Sequence, residues 1–205
     1  MDDVKLKLIL AAEALFAEKG IEAASFREIA GLAGQRNTSA VHYHFGGREE
    51  ILAAIFDYRV GLMHAEREAM LANLEKEGKL ESIPDLLRVL FLPQLRLTNE
   101  HGQHPHAKVI IQYVTQYRTR GIPHAGDVEQ PHTMAVRRTV ALLSACIRHV
   151  PRPLVRDRIE LCNLMCQGMI VRWDGRDAMD KSSTSLETRL ADIISMATSA
   201  LTAPA

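Results

Sequence analysis

Apolar positions recur at steps of three and four along almost the whole chain, while period-two alternation of β-branched and aromatic residues is hard to find, so the pattern predicts an all-α protein. Breaks at Gly20, Gly34, Gly46-Gly47, Gly78, His101–Pro105, Gly121–Pro131, Pro151/Pro153 and Gly175–Ser185 divide it into about nine helices. The first is expected over Asp3–Lys19, with Leu8, Ala12, Leu15 and Phe16 on one stripe and Gly20 as C-terminal cap. Ser25-Phe26-Arg27-Glu28 is a Ser-x-x-Glu capping box that starts a short second helix ending at Gly34. Gln35-Arg36-Asn37 reads as a tight turn, with Asn37 or Thr38 as N-cap of a third helix over Thr38–His44. Val41 and Phe45 face inward on it, and Ser39, His42 and Tyr43 share the outer face. Beyond Gly46-Gly47 a long helix runs from Arg48 to about Lys76, carrying Ile55, Leu62, Met63, Met70 and Leu74.

Composition narrows the class without naming a function. With 205 residues, 47% apolar and 24% charged, the chain is an ordinary globular one with room for a sizeable core. Its 25 basic and 25 acidic side chains cancel, so a nucleic-acid partner has to be argued from local residues. Charge interrupts every apolar stretch before it reaches membrane-spanning length, as Arg88 and Arg96 do around Val89–Leu95. The start is acidic where a secretory signal is basic, and Cys146, Cys162 and Cys166 are an odd set too small for a disulfide framework; both point to the cytoplasm.

Two short helices joined by a glycine-containing turn, the second exposing polar groups, are the parts of a helix-turn-helix. The competing reading is an ordinary helical hairpin. The segment Leu8–Gly20 (LILAAEALFAEKG), then Phe26-Arg27-Glu28-Ile29-Ala30, Ala33-Gly34 and Tyr43-His44-Phe45, closely resembles the TetR (tetracycline-repressor-like) family of transcriptional regulators. The resemblance spans about residues 4–56. It implies an all-α homodimer, with an N-terminal helix-turn-helix domain over 1–47 and a helical effector-binding and dimerisation domain over 48–205. It also implies repression at an inverted-repeat operator, relieved by a small effector, with no cofactor.

Gln35–Val41 is one residue longer than the commonest family spacing between Ala-Gly and Tyr-His-Phe. By matched position, Arg27 resembles a base or phosphate contact, and His42, Tyr43, His44 and Arg48 resemble the end of the recognition helix and the following N-terminus. Arg36, Asn37, Thr38, Ser39 and Ala40 lie in or near the groove-facing turn; Arg reads guanine, Asn reads adenine, and Ala40 suits a thymine methyl. From Arg27 to Arg48 there are three Arg, two His and one Glu, so this surface is basic on a neutral chain.

The remainder carries no motif that transfers residue by residue. Val155, Ile159, Cys162, Cys166, Met169 and Trp173 form one apolar seam, and Leu186, Leu190, Ile193, Ala197 and Leu201 form another. Helped by the resemblance, both seams are expected at a four-helix dimer interface; intramolecular core is the alternative. Met63, Phe91, Leu95, Ile111, Tyr113, Tyr117 and Leu142 are expected to wall a pocket for a hydrophobic or aromatic effector. His101-Gly-Gln-His104-Pro-His106 has imidazoles at steps of three and two but no completing ligand, so no metal is expected. Cys162-x-x-x-Cys166 reads as packing before redox sensing. No nucleophile elbow, phosphate loop or His-Glu-x-x-His motif supports an enzyme. The other alternative is a regulator whose body only dimerises.

Overall fold

In the computed structural model the described residues are 2–176 and 183–204. They contain nine α-helices and no strand, as the periodicity predicts: α1 Asp3–Lys19, α2 Phe26–Leu32, α3 Ser39–Phe45, α4 Arg48–Lys76, α5 Ile83–Phe91, α6 Pro105–Gln112, α7 Met134–Cys146, α8 Arg152–Asp174 and α9 Leu186–Thr202. Helix α5 tightens into a 3₁₀ turn over Leu92–Arg96, and α6 loosens into a π turn over Tyr113–Tyr117. No described helix is long and apolar enough to cross a membrane.

The N-terminal elements follow their local signals. Asp2 caps α1, Gly20 at φ 99° ends it, and the Ser25/Glu28 capping box is closed in both directions. At the head of α3 the Asn37 Oδ1 accepts the Ser39 N–H at 2.7 Å, while Thr38, the flanking residue, makes no side-chain cap. Gly46 takes φ 80°, where a side chain would be strained, and this turn redirects the chain from α3 into α4. Helix α4, 29 residues and so about 43 Å long, runs from this head into the body.

Two apolar clusters form the core. The first joins α1–α3 and the start of α4, through Leu8, Phe16, Ile29, Val41, Phe45, Ile51 and Phe56, to Val109, Ile110, Tyr113 and Tyr117 of α6 and its π turn. The second fills the body: Leu86, Leu90 and Phe91 of α5, Leu143 of α7, Val155, Ile159, Cys162, Cys166 and Ile170 of α8, and Leu190, Ile194, Ala197 and Leu201 of α9.

That second cluster takes in much of the two seams that the sequence offers to a dimer. Val155, Ile159, Cys162 and Cys166 are buried against Leu190, Ala197 and Leu201 of the same chain, and Met169, Leu186 and Ile193 pack beside them. Trp173 is half-buried, with the Arg189 guanidinium 5.8 Å over its ring. A helical stripe reports that a face is covered, and here the cover is the neighbouring helix. Arg158 fastens the pair at its far end by donating to the carbonyls of Ala203 at 2.6 Å, Leu201 at 3.3 Å and Pro204 at 3.2 Å.

Candidate DNA-reading head and ligand cavity

The outer face of the head is set by the packing of its inner face. Val41 and Phe45 are buried, which turns Ser39, His42 and Tyr43 outward; Tyr43 is 85% exposed. His42 packs edge-on against Phe26 of α2, ring centroids 5.1 Å apart, so its ring is braced on the preceding helix. Arg27, Arg36 and Asn37 are exposed, Thr38 and Ala40 half-buried, and neither Arg27 nor Arg36 has an ion-pair partner among the described residues. His44 is more enclosed, with its Nε2 3.7 Å from the Asp2 carboxylate.

Arg48 is placed differently from the sequence expectation. Its Nη1 donates to the carbonyls of Ala24, at 2.7 Å, and Ile21, and its guanidinium lies over the Phe16 and Phe26 rings at 5.9 and 5.6 Å. It clamps the α1–α2 corner to the start of α4, and a side chain so committed is not presented to a phosphate.

Residues 8–55 match the family model described as bacterial regulatory proteins, tetR family. Over this module the chain is similar to the TetR family. The matched module is of the DNA-binding regulatory kind. The whole chain is also similar to a gamma-butyrolactone receptor (ArpA-like protein) of known structure, with 17% identity, TM-score 0.47, and 95% of this chain covering 96% of that one. No curated protein sequence matches it.

Behind the TetR-like head lies a cavity of about 1130 Å³, walled by α4, α5, α6, α7, α8 and the turn at His124–Asp127. Of the expected lining residues, Met63 and Tyr113 reach it. Phe91 and Leu95 are buried in the body cluster and Leu142 packs against it. Tyr117 lies in the head cluster with its hydroxyl donating to Glu22 at 2.5 Å, and Ile111 is half-buried away from the cavity. Apolar identity alone did not separate wall from core. Val155 and Ile159, expected at a dimer seam, line the cavity instead.

The polar lining carried no local sequence signal. Arg67 of α4 is buried, donates from Nη2 to the Leu90 carbonyl at 3.1 Å, and has an Nε without a partner. Burial holds its pKa down at about 10 against the ordinary 12.5, with the charge of the adjacent Glu66 opposing. Gln94 bridges the Leu90 carbonyl and Asn163, at 3.0 and 3.3 Å, and accepts from Gln167. His124 accepts the Gly126 N–H at its Nδ1, 3.0 Å away. Burial first, then the charges of His106, Arg118 and Arg67 against an opposing Asp127, push its pKa to about 3, so it is neutral with its proton on Nε2. Arg118 donates to Glu160 at 2.5 Å and to Asp127 at 2.6 Å, and so occupies both carboxylates of the lining.

Ile110 and Tyr113 line the cavity and pack into the head cluster, and a polar contact joins the two as well. His106 donates from Nδ1 to Glu13 of α1 at 3.0 Å, and Arg59 of α4 forms a bidentate pair with the same carboxylate. Six residues further along, at the end of α6, Gln112 donates to the Phe16 carbonyl and accepts the Ile21 N–H, each at 2.9 Å. Glu13 is signalled in the sequence only as a carboxylate on the apolar stripe of α1.

The other sequence candidates resolve into structural contacts. His104 donates from Nδ1 to the Asp174 carboxylate at 2.7 Å with its Nε2 3.0 Å from the Leu95 carbonyl, His106 turns to Glu13, and His101 is exposed, so the three imidazoles do not converge. No metal-holding cluster occurs among the described residues. Burial pushes all three thiols up, Cys166 to about 12, which suppresses the thiolate that redox chemistry requires.

Proposed function

We propose that the chain is a ligand-responsive transcriptional repressor of the cytoplasm, acting as a homodimer at an inverted-repeat operator and released by a small effector bound in the cavity. The observation that carries this reading is the path from cavity to head: His106 lines the cavity and holds Glu13 of α1, so a ligand that moves α6 moves the helix that supports the reading module. We divide the chain at 47/48, with head and body meeting at the Gly46-Gly47 break. Arg27, Arg36, Asn37, Ser39, His42 and Tyr43 are the exposed residues offered to DNA, with Arg36 and Asn37 on base edges and Tyr43 on phosphate. Thr38, Ala40 and His44 complete the surface at its edge.

The dimer reading moves to the outer faces of α8 and α9, where Leu154, Leu161 and Met196 are exposed. Two heads then address successive major grooves about 34–36 Å apart.

The test is fluorescence-anisotropy titration of the full chain against the DNA flanking its own coding sequence, at several salt concentrations and beside an unrelated duplex. Selective binding with a steeply negative salt slope, at a stoichiometry of two chains per site, is the expected result. Equal affinity for both duplexes would overturn the operator reading.

A further inference from the structure

We infer that the cavity ligand is an amphipathic monocarboxylate whose carboxylate docks on Arg67. The inference rests on the effector reading above and names the chemistry that reading leaves open. Arg67 is a buried cation with no carboxylate partner among the described residues: its one hydrogen bond is to the Leu90 carbonyl, and its Nε is unsatisfied. A charge taken out of water is costly unless it is paired, and protein interiors seldom keep one unpaired. The other buried arginine, Arg59, shows the contrast, since Glu13 meets it with both oxygens.

The surroundings fit an anion. Six arginines line the cavity (Arg67, Arg118, Arg137, Arg148, Arg152 and Arg156) against two carboxylates, Asp127 and Glu160. Both carboxylates are already taken by Arg118 and Arg156, so neither is left to neutralise Arg67. His124 adds a neutral N–H donor, and Gln94 and Asn163 add amides. One unpaired buried guanidinium matches a monoanion, whereas a phosphate dianion calls for a second. The rest of the wall, including Val60, Met63, Ile110, Val136 and Val140, is apolar and suits an alkyl or aryl body.

The experiment compares octanoate with 1-octanol and 4-phenylbutanoate with 4-phenylbutan-1-ol on the full chain, by calorimetric titration, ligand-induced Tm shift and release of bound operator. Each acid is expected to bind at least about tenfold tighter than its alcohol, the span of a charge-assisted hydrogen bond. Arg67→Lys keeps the preference, and Arg67→Met brings acid and alcohol within about twofold. Arg67→Met should fold with an unchanged or raised ligand-free Tm, because Gln94 still satisfies the Leu90 carbonyl and the buried charge is gone. Alcohols that bind as well as acids, or an acid preference that survives Arg67→Met, would overturn the carboxylate assignment; if those alcohols also release operator, the effector reading stands without it. Binding of none of the four probes overturns the assignment, and operator release by no probe then counts against the effector reading as well.

Discussion

Replacing Glu13 with Gln removes the negative centre of a buried three-residue network and leaves Arg59 and His106 facing a neutral amide. Burial alone raises the pKa of this carboxyl, but the hydrogen bonds and charges of His106 and Arg59 prevail and hold it at about 2 instead of 4.5. A shift of that size corresponds to roughly 3 kcal/mol of stability at neutral pH. Breaking a buried pair by removing one partner costs about 3–5 kcal/mol, a consistent figure. For a chain of this length, each kcal/mol moves Tm by about 2–4 °C, so Glu13→Gln should melt about 6–20 °C below the wild type. The sign of the pH effect follows from the depressed pKa: the Glu13 contribution is complete above about 4.5 and is lost as pH falls toward about 2. The stability gap between the two proteins should therefore be constant above pH 5 and close progressively below it. Thermal or urea unfolding followed by circular dichroism at pH 7, 5, 4 and 3 measures both. A drop of less than about 3 °C at pH 7, or a gap that does not narrow between pH 5 and pH 3, would refute the reasoning. The double variant Glu13→Leu with Arg59→Met should regain much of the loss, because it removes both charges together.

The remaining predictions concern the head and the thiols. Arg48→Ala should cost about 1–3 kcal/mol by freeing the Ile21 and Ala24 carbonyls, while leaving the salt slope of DNA binding unchanged; a shallower slope at unchanged Tm would restore Arg48 to the phosphate contacts. Arg27→Ala and Arg36→Ala should each reduce the salt slope by about one with little change in Tm, and Arg36→Ala should also relax preference at one base pair in an operator-variant panel. Cys162 and Cys166 should resist an aromatic disulfide reagent at pH 8 in the native protein and react fully in denaturant; rapid native reaction of either would contradict their burial.

What the sequence made legible was whatever is written locally. The Ser25/Glu28 box, the positive-φ glycines at 20, 34 and 46, and the Val41/Phe45 inner face lie within a few residues of the structure they specify, and all appear in the head as expected. The cavity depends on which helices lie against α4, so Arg67 was indistinguishable from its exposed neighbour Glu68 until α5 packed over it. The α8 and α9 seams are legible as apolar stripes, but periodicity carries no label for the partner, and within this chain much of each seam packs against the other helix. Arg48 misled for a related reason: its sequence neighbourhood is that of an exposed helix start, and only the α1–α2 corner reveals the carbonyls that it caps.

The first apolar cluster has a bearing on how such a protein is taken apart or recombined. Four of its buried side chains, Val109, Ile110, Tyr113 and Tyr117, belong to a helix and turn more than fifty residues downstream of the Gly46-Gly47 break. A fragment ending after the start of α4 would expose a slot the size of those side chains, and a head transplanted onto a foreign body would meet a helix shaped for another occupant. The transferable unit is accordingly the three-helix module together with the α6 segment that completes it, two stretches of chain that any chimera must carry across as a matched pair.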